Sequence, residues 1–260
     1  PKPVAMPKPV RTIFQDDFNN GLNDGMASSE HWNAPSLAQH GATVEIVPDP
    51  TNSVDATGMS RGNVMKVTAR APVELPTWSS GYWQAGYPGW INFHANGDGY
   101  VSPIPESAGI SVDLWIDPQI NHASLLGVHR MRVNSEVIRS VAGMEIHNHS
   151  DIVILARDDQ GKDKRVPCRK GLFKAGGWNT LMFVVDVKTG RVLPFINGTF
   201  ALNSINEAPT VPVNDVTPGS FSDGHAGINF NMPRIDQMIP EGLVVLNDNF
   251  RVFTVTVDAD

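Results

Sequence analysis

The chain has 260 residues, 41% of them hydrophobic, with 20 Lys or Arg against 27 Asp or Glu and a formal net charge of −7. A chain of this length buries roughly 70–75% of the surface of its unfolded form, so it can hold a substantial core. The acidic balance argues against a nucleic-acid partner, whose phosphates need Lys and Arg, and no apolar stretch reaches the roughly 20 residues of a membrane helix.

The first ten residues, PKPVAMPKPV, repeat Pro-Lys-Pro-Val and cannot form a helix. We expect residues 1–10 to be a flexible, Pro-rich arm, suited to attaching the chain to a larger assembly.

After the arm, the dominant pattern is the alternation of apolar and polar residues that is typical of strands. In GISVDLWID (109–117) four apolar residues alternate with Ser111, Asp113 and Trp115, and NVMKVTAR (63–70) alternates in the same way. Residues 144–161 are predicted to form two short strands around a polar turn. Further apolar runs, bounded by turns such as Lys188-Thr189-Gly190 and Asn197-Gly198, cover 180–187, 191–196, 226–232 and 243–257. No segment of 12 or more residues keeps a helical period, so an all-β antiparallel sandwich or jelly roll is predicted.

The strands are distributed without a break in composition, which predicts one domain from residue 11 to 260. Within it, 71–108 is poor in strand signal and rich in Pro, Gly and aromatic residues. Loops of that length are functional or disordered, and the aromatic content argues against disorder. Its rings either stack on sugars or form a small core over one end of the sandwich, and both can hold for different rings. The residues that we single out there are Trp78, Tyr82, Trp83, Tyr87, Trp90 and Tyr100.

Three segments carry a resemblance to known proteins: IFQDDFNNGLND (13–24), FKAGGWNTLMFVVDVKTGRVLPFING (173–198) and LVVLNDNFRVF (243–253). They resemble the laminin-G-like and concanavalin A-like jelly rolls. The resemblance implies two stacked, curved antiparallel sheets whose concave sheet forms a groove for glycans. It also implies a structural calcium ion near Asp16, Asp17 and Asp248, because oxygen-rich turns suit this ion. The fold hosts hydrolases, lyases and lectins, so the site must decide the function.

The glycoside hydrolases of this fold use a Glu-x-Asp-x-x-Glu strand with carboxylates about 5–5.5 Å apart, and the sequence has no such strand. Jelly-roll alginate lyases use an Arg-x-Glu-x-Arg strand, a Gln-Ile-His strand and a late Tyr-rich strand. NSEVIR (134–139) is similar to the first with one additional residue, and MEIHNH (144–149) is similar to the second with Glu145 in place of Gln. The third motif is missing, since GLFKAGGW (171–178) has no Tyr.

β-Elimination needs a base, a group that neutralises the uronate carboxylate and an acid for the leaving oxygen. We predict His147 as base; Arg130, Arg132 or Arg139 as neutraliser; and Tyr82, Tyr87 or Tyr100 as acid. Strand alternation places Arg130 and Arg132 opposite Met131 and Val133, and Glu145 and His147 opposite Met144 and Ile146. We expect these residues, together with Asp113 and Trp115 on the non-core face of their own strand, to form one cationic, partly aromatic groove, unless they are an ordinary solvated face. The predicted substrate contacts are Trp78, Trp83, Trp90, Asp113, Trp115 and Glu145.

The sequence therefore predicts a polysaccharide lyase acting on an anionic, uronate-containing glycan without a catalytic cofactor. The alternative is a non-catalytic, lectin-like module or an adhesion or virion surface protein, which needs only the groove and the aromatic residues. Either function suits a secreted or extracellular protein, although this chain contains no signal peptide, as a mature secreted chain also would not.

Two other residue types carry weaker signals. Cys168 is the sole cysteine, which excludes an intrachain disulfide, and nothing around it predicts a nucleophile. His149 is expected in a turn and not as a metal ligand beside His147. The other histidines have no spacing typical of a metal site: His31, His40, His94, His122, His129 and His225.

Overall fold

The computed structural model describes residues 4–19, 43–68, 84–86, 90–94, 107–132, 137–212, 226–231, 234–236 and 242–257. Within these ranges the chain forms sixteen strands and one short 3-10 helix, Ile205–Glu207. In the same ranges, no helix is long and apolar enough to cross a membrane.

The strands form two antiparallel sheets. The first sheet follows, in spatial order, β13 (Thr199–Phe200), β12 (Val192–Ile196), β11 (Trp178–Val185), β6 (Ser107–Ile116), β16 (Val244–Val255), β3 (Asn63–Thr68) and β2 (Thr43–Pro48), with β1 (Pro9–Asp16) beside β16. The second sheet follows β10 (Asp163–Pro167), β9 (Asp151–Arg157), β8 (Val137–His147), β7 (Ala123–Arg132), β14 (Ala226–Asn231) and β5 (Trp90–His94). Two short strands extend the second sheet at β7, namely β15 (Arg234–Asp236) and its partner β4 (Gln84–Gly86).

The core lies between the two sheets. Ile110, Val112 and Leu114 of β6 are completely buried from the first sheet, and Met144 and Ile146 of β8 are completely buried from the second. Burying each such side chain contributes about 1.5–3 kcal/mol. The predicted all-β, antiparallel sandwich is confirmed.

Asn-Gly and Asn-His pairs close the tight hairpins. Asn197 and Gly198 both have positive φ angles, 51° and 75°, between β12 and β13. Asn148 and His149, at 49° and 67°, belong to the three-residue turn 148–150 that joins β8 to β9. Two successive positive φ angles match the right-handed twist of the flanking strands. The hairpins predicted over 173–198 and the turn position of His149 are both confirmed.

Gly190, in the turn between β11 and β12, is expected to be far less replaceable than Gly161. Both have positive φ angles, 69° and 78°, so alanine at either costs about 1 kcal/mol of backbone strain. A Cβ at Gly190 would also lie well inside van der Waals contact of the Val211 backbone oxygen, whereas one at Gly161 meets nothing within 4 Å. Gly190→Ala should therefore lose roughly 3 kcal/mol or more of unfolding free energy in urea. Equal losses in the two variants would contradict this explanation.

Two predicted irregular segments contain ordered structure. Pro9 already belongs to β1 and lies opposite Val255, and Val4 packs against the core, so the expected arm over 1–10 is partly docked. The predicted loop 71–108 contains β4, β5 and the first residues of β6. Strands as short as Gln84–Gly86 offer too few residues for an alternating pattern, and their partners are distant in sequence.

Candidate functional site

The solvent-facing side of the second sheet, called here the outer face, is built from residues that alternate with the core. In β8, the side chains of Glu145 and His147 are 13% and 31% exposed, while Met144 and Ile146 are completely buried. Residues on the two sides of a strand alternate, so Glu145 and His147 share this face. The orientation predicted for these four residues is confirmed.

Three side chains meet at the end of β8, and we call them the His147 cluster: His122, Glu145 and His147. His147 Nε2 lies 3.1 Å from Glu145 Oε2, which is hydrogen-bond distance. The rings of His122 and His147 meet edge to face, with centroids 4.5 Å apart and planes at 81°. A carboxylate oxygen only accepts, so His147 donates through Nε2 and keeps Nδ1 for a proton or another partner.

His122 belongs to the site although its sequence spacing gives no sign of it. In the β7–β8 hairpin, Ala123 lies opposite Ile146. The residue before Ala123 therefore comes beside the residue after Ile146, which is His147. Correct pairing of this hairpin is the signal that would have revealed His122, and it requires the register as well as the pattern.

Two exposed cations border the His147 cluster. Arg165 Nε lies 3.8 Å from Glu145 Oε2 and Lys170 Nζ lies 3.7 Å from Asp151 Oδ1. The side chains of Arg165 and Lys170 are 55% and 85% exposed. Ion pairs this exposed contribute little to stability, so both cations remain available to an anionic ligand.

The three arginines predicted as carboxylate neutralisers lie on the same two strands but far from His147. Arg130 lies opposite Arg139 in the β7–β8 register, and Arg132 is two residues further along β7. Arg139 and His147 are eight residues apart on β8, which corresponds to roughly 26 Å. One sugar ring cannot contact both positions. The structure does not bring these arginines to His147.

Asp113 and Trp115 lie on the other sheet, in β6. Asp113 is buried, with Oδ2 2.8 Å from Arg61 Nη1 and Oδ1 2.5 Å from Thr180 Oγ1. The groove predicted to combine these two residues with His147 is therefore not formed. The alternating pattern placed them correctly on the side of β6 that faces away from the core. Each of the two sheets has such a side, and the pattern does not tell which sheet a strand joins.

Asp113 belongs to a buried ion-pair group that we call the Arg61 cluster: Arg61, Asp113 and Asp248. Arg61 Nη1 contacts Asp113 and also lies 3.0 Å from Asp248 Oδ2. The ring of Trp178 stacks on the guanidinium at 4.1 Å, a cation–π contact. This group holds the segment around Arg61 onto the outer side of the first sheet.

The predicted calcium ligands do not come together as a close group among the described residues. Asp16 Oδ1 accepts the Phe18 backbone N–H, Asp17 Oδ1 accepts the Asn19 N–H, and Asp248 pairs with Arg61. In the part of the chain that the structure describes, the one group of three carboxylate or imidazole side chains with ligand atoms close together is the His147 cluster. The calcium ion stays a prediction.

The Arg61 cluster predicts a pH dependence of stability. Burial raises the pKa of the Asp248 carboxyl to about 7, against the opposing effect of Arg61, from an ordinary value of 3.8. The pKa of Asp248 is higher in the folded state than in the unfolded state. Its contribution to the free energy of unfolding is therefore complete below pH 3.8 and is lost as the pH rises through about 7. The loss is at most about 4 kcal/mol.

Urea unfolding from about pH 4 to about pH 8 measures this effect. The unfolding free energy of wild type should decline over this range. In Asp248→Asn, whose side chain cannot ionise, most of that decline should be absent. An identical pH profile in both proteins would contradict the assignment to Asp248.

Five predicted aromatic site residues fall outside the described residues: the substrate contacts Trp78 and Trp83, and the candidate acids Tyr82, Tyr87 and Tyr100. Trp90 lies in β5, opposite Asn231 of β14, and thus belongs to the second sheet.

Cys168 is buried, and burial raises the pKa of its thiol to about 12. A thiol with that pKa is a poor nucleophile, in agreement with the sequence.

Comparison with known proteins shows the fold. No family model matches the chain, and no curated protein does. The cellulose induced protein Cip1 is 14% identical over 95% of this chain and 100% of its own, with a TM-score of 0.51. A carbohydrate esterase from Shiga toxin-encoding bacteriophage phi24B is 13% identical over 94% of this chain and 99% of its own, with a TM-score of 0.49.

The receptor binding domain of botulinum neurotoxin D is 16% identical over 84% of this chain and 46% of its own, with a TM-score of 0.45. The chain thus spans less than half the length of that domain. At such identities the likeness to Cip1 shows a shared sandwich fold and nothing about the ligand.

Proposed function

We propose that this chain binds an anionic, uronate-containing polysaccharide on the outer face of the second sheet. The observation that carries the proposal is the charge of that sheet. Its strands hold seven Lys or Arg and four Asp or Glu, a net charge of +3, in a chain whose net charge is −7. A local excess of cations on an acidic protein attracts a polyanion to that sheet.

The outer face offers both kinds of contact that an acidic sugar needs. Arg165 and Lys170 provide exposed charges for carboxylates. Val153 and Leu155 of β9 are half-buried on the same face, so they leave apolar surface for the faces of sugar rings. The aromatic residues predicted as sugar platforms in 71–108 would add stacking contacts.

β-Elimination at His147 is a second candidate, favoured by the hydrogen bond from His147 to Glu145. A carboxylate that holds one ring nitrogen orients the other for proton removal and stabilises the imidazolium that forms. With the three arginines distant, Arg165 or Lys170 would neutralise the uronate carboxylate. Tyr82, Tyr87 and Tyr100 stay the predicted acids.

The setting of the function is also a proposal. A polysaccharide ligand fits a secreted or extracellular chain, and the segment before β1 suits attachment to a larger assembly. A calcium ion near Asp16, Asp17 and Asp248 would be structural and would take no part in catalysis.

Incubation with alginate, glucuronan, ulvan and heparin-type polymers tests both candidates at once. Binding to a glycan array that carries these polymers and neutral glucans is read alongside the absorbance of the unsaturated product. Binding of acidic polymers without product supports the binding module, and binding with product supports the lyase. Preference for neutral glucans, or no binding to any acidic polymer, would overturn the proposal.

A further inference from the structure

The His147 cluster brings two imidazoles and one carboxylate to one point. One ligand atom from each of His122, Glu145 and His147 lies within 4.8 Å of the other two. All three side chains are partly exposed, so an ion could reach them from solvent. Neither the glycan contacts nor the base assigned to His147 accounts for a second histidine at this place.

Rigid backbone holds the three residues. Glu145 and His147 are two positions apart on β8, which puts both on the outer face. His122 immediately precedes β7 and comes beside them through the pairing of Ala123 with Ile146. Ala123 and Ile146 are buried in the core, at 1% and 0% exposure. Core packing therefore fixes the backbone that carries the cluster. Sites on strands keep their geometry better than sites on loops.

We propose that His122, Glu145 and His147 bind a divalent transition-metal ion of the zinc type. Two imidazoles with one carboxylate are the donor set of several catalytic zinc sites, and imidazole nitrogen disfavours calcium and magnesium. The donor set is also compatible with cobalt, nickel and copper, which bind nitrogen ligands in the same series.

The distances suit such an ion. Ligands about 2.0–2.1 Å from a tetrahedral zinc lie roughly 3.3 Å from one another. The 3.1 Å between His147 Nε2 and Glu145 Oε2 is already close to this spacing. The remaining spacings, up to 4.8 Å, close by small side-chain rotations. Binding of the ion at Nε2 would move the proton that now lies between these two atoms to Nδ1, because a metal-bound histidine is a neutral imidazole.

Three protein ligands leave the fourth tetrahedral position for water or for an oxygen of a bound molecule. The His147 cluster lies on the outer face of the second sheet, where Arg165 lies 3.8 Å from Glu145. The metal proposal rests on the three side chains alone and does not depend on glycan binding.

Titration of the metal-free full chain with Zn²⁺ alone, and separately with Co²⁺, tests the proposal without any activity assay. Calorimetry gives the stoichiometry and affinity for Zn²⁺, and the visible absorbance of bound Co²⁺ reports the coordination geometry. The variants are His122→Ala and Glu145→Gln, with His122→Asn in reserve should alanine impair folding. His149→Ala is the matched control, because His149 is an exposed histidine in the adjacent turn.

We expect one equivalent of Zn²⁺ in wild type and in His149→Ala, with a rise in melting temperature, and a tetrahedral Co²⁺ spectrum. Affinity should fall by at least about 100-fold in His122→Ala and Glu145→Gln, since even loss of an outer-shell partner costs 10–100-fold. Absence of Zn²⁺ binding by wild type, or unchanged affinity in folded His122 and Glu145 variants, would overturn the proposal. Loss of binding in His149→Ala would contradict the assignment of the three ligands.

Discussion

Arg61→Ala is expected to lower the free energy of unfolding by about 3–5 kcal/mol, because it leaves Asp113 and Asp248 buried without their cation. The side chain of Arg61 is 5% exposed, and those of the two aspartates are 8% and 2% exposed. The Trp178 ring also loses the guanidinium on which it stacks. Equilibrium unfolding in urea measures the loss.

Removing the carboxylate charges together with the arginine is the control for Arg61→Ala. The triple variant Arg61→Met, Asp113→Asn, Asp248→Asn should recover much of the lost stability, because it contains no unpaired buried charge. A single Arg61→Ala variant as stable as wild type would show that the aspartates find other partners or solvent.

His147→Ala separates the two candidate functions. If His147 removes the proton, turnover of a uronate polymer should fall by about 10²–10⁴-fold. Binding should largely survive, because Arg165 and Lys170 are untouched. Loss of one partly exposed hydrogen bond, that to Glu145, should cost only about 1 kcal/mol of stability. Product formation, binding and a melting curve are measured on the same preparation.

His149→Ala is the control for the turnover experiment, because it removes a neighbouring imidazole in the exposed turn. Its turnover should match wild type. Undiminished turnover by His147→Ala would exclude His147 as base, and a strongly destabilised His147→Ala would assign the residue a structural role. If wild type turns over no uronate polymer, glycan binding remains as the proposed function.

The fold was predictable because strand alternation is a local signal. Val112, Leu114, Met144 and Ile146 fall on the core side of their strands, as their spacing of two residues indicates. The Asn197-Gly198 turn was predictable for the same reason, since its positive φ angles depend on those two residues.

The site was less predictable because it depends on which strands pair. Asp113 and His147 both face away from the core, yet β6 pairs with β11 and β16 while β8 pairs with β7 and β9. Period-two patterning assigns a side of a strand and says nothing about the sheet that the strand joins. For the same reason, the sequence pattern could not predict that His122 lies beside His147, because this contact depends on the β7–β8 register.

Calorimetric titration with an acidic polyuronate and with the same polymer after reduction of its carboxylates tests the central claim most directly. Wild type should bind the acidic polymer, with an affinity that falls as salt is raised, and should bind the reduced polymer much more weakly. Arg165→Glu should weaken binding of the acidic polymer, because it reverses an exposed charge beside the His147 cluster. Equal affinity for both polymers, or full affinity in Arg165→Glu, would contradict an anionic glycan site on the outer face of the second sheet.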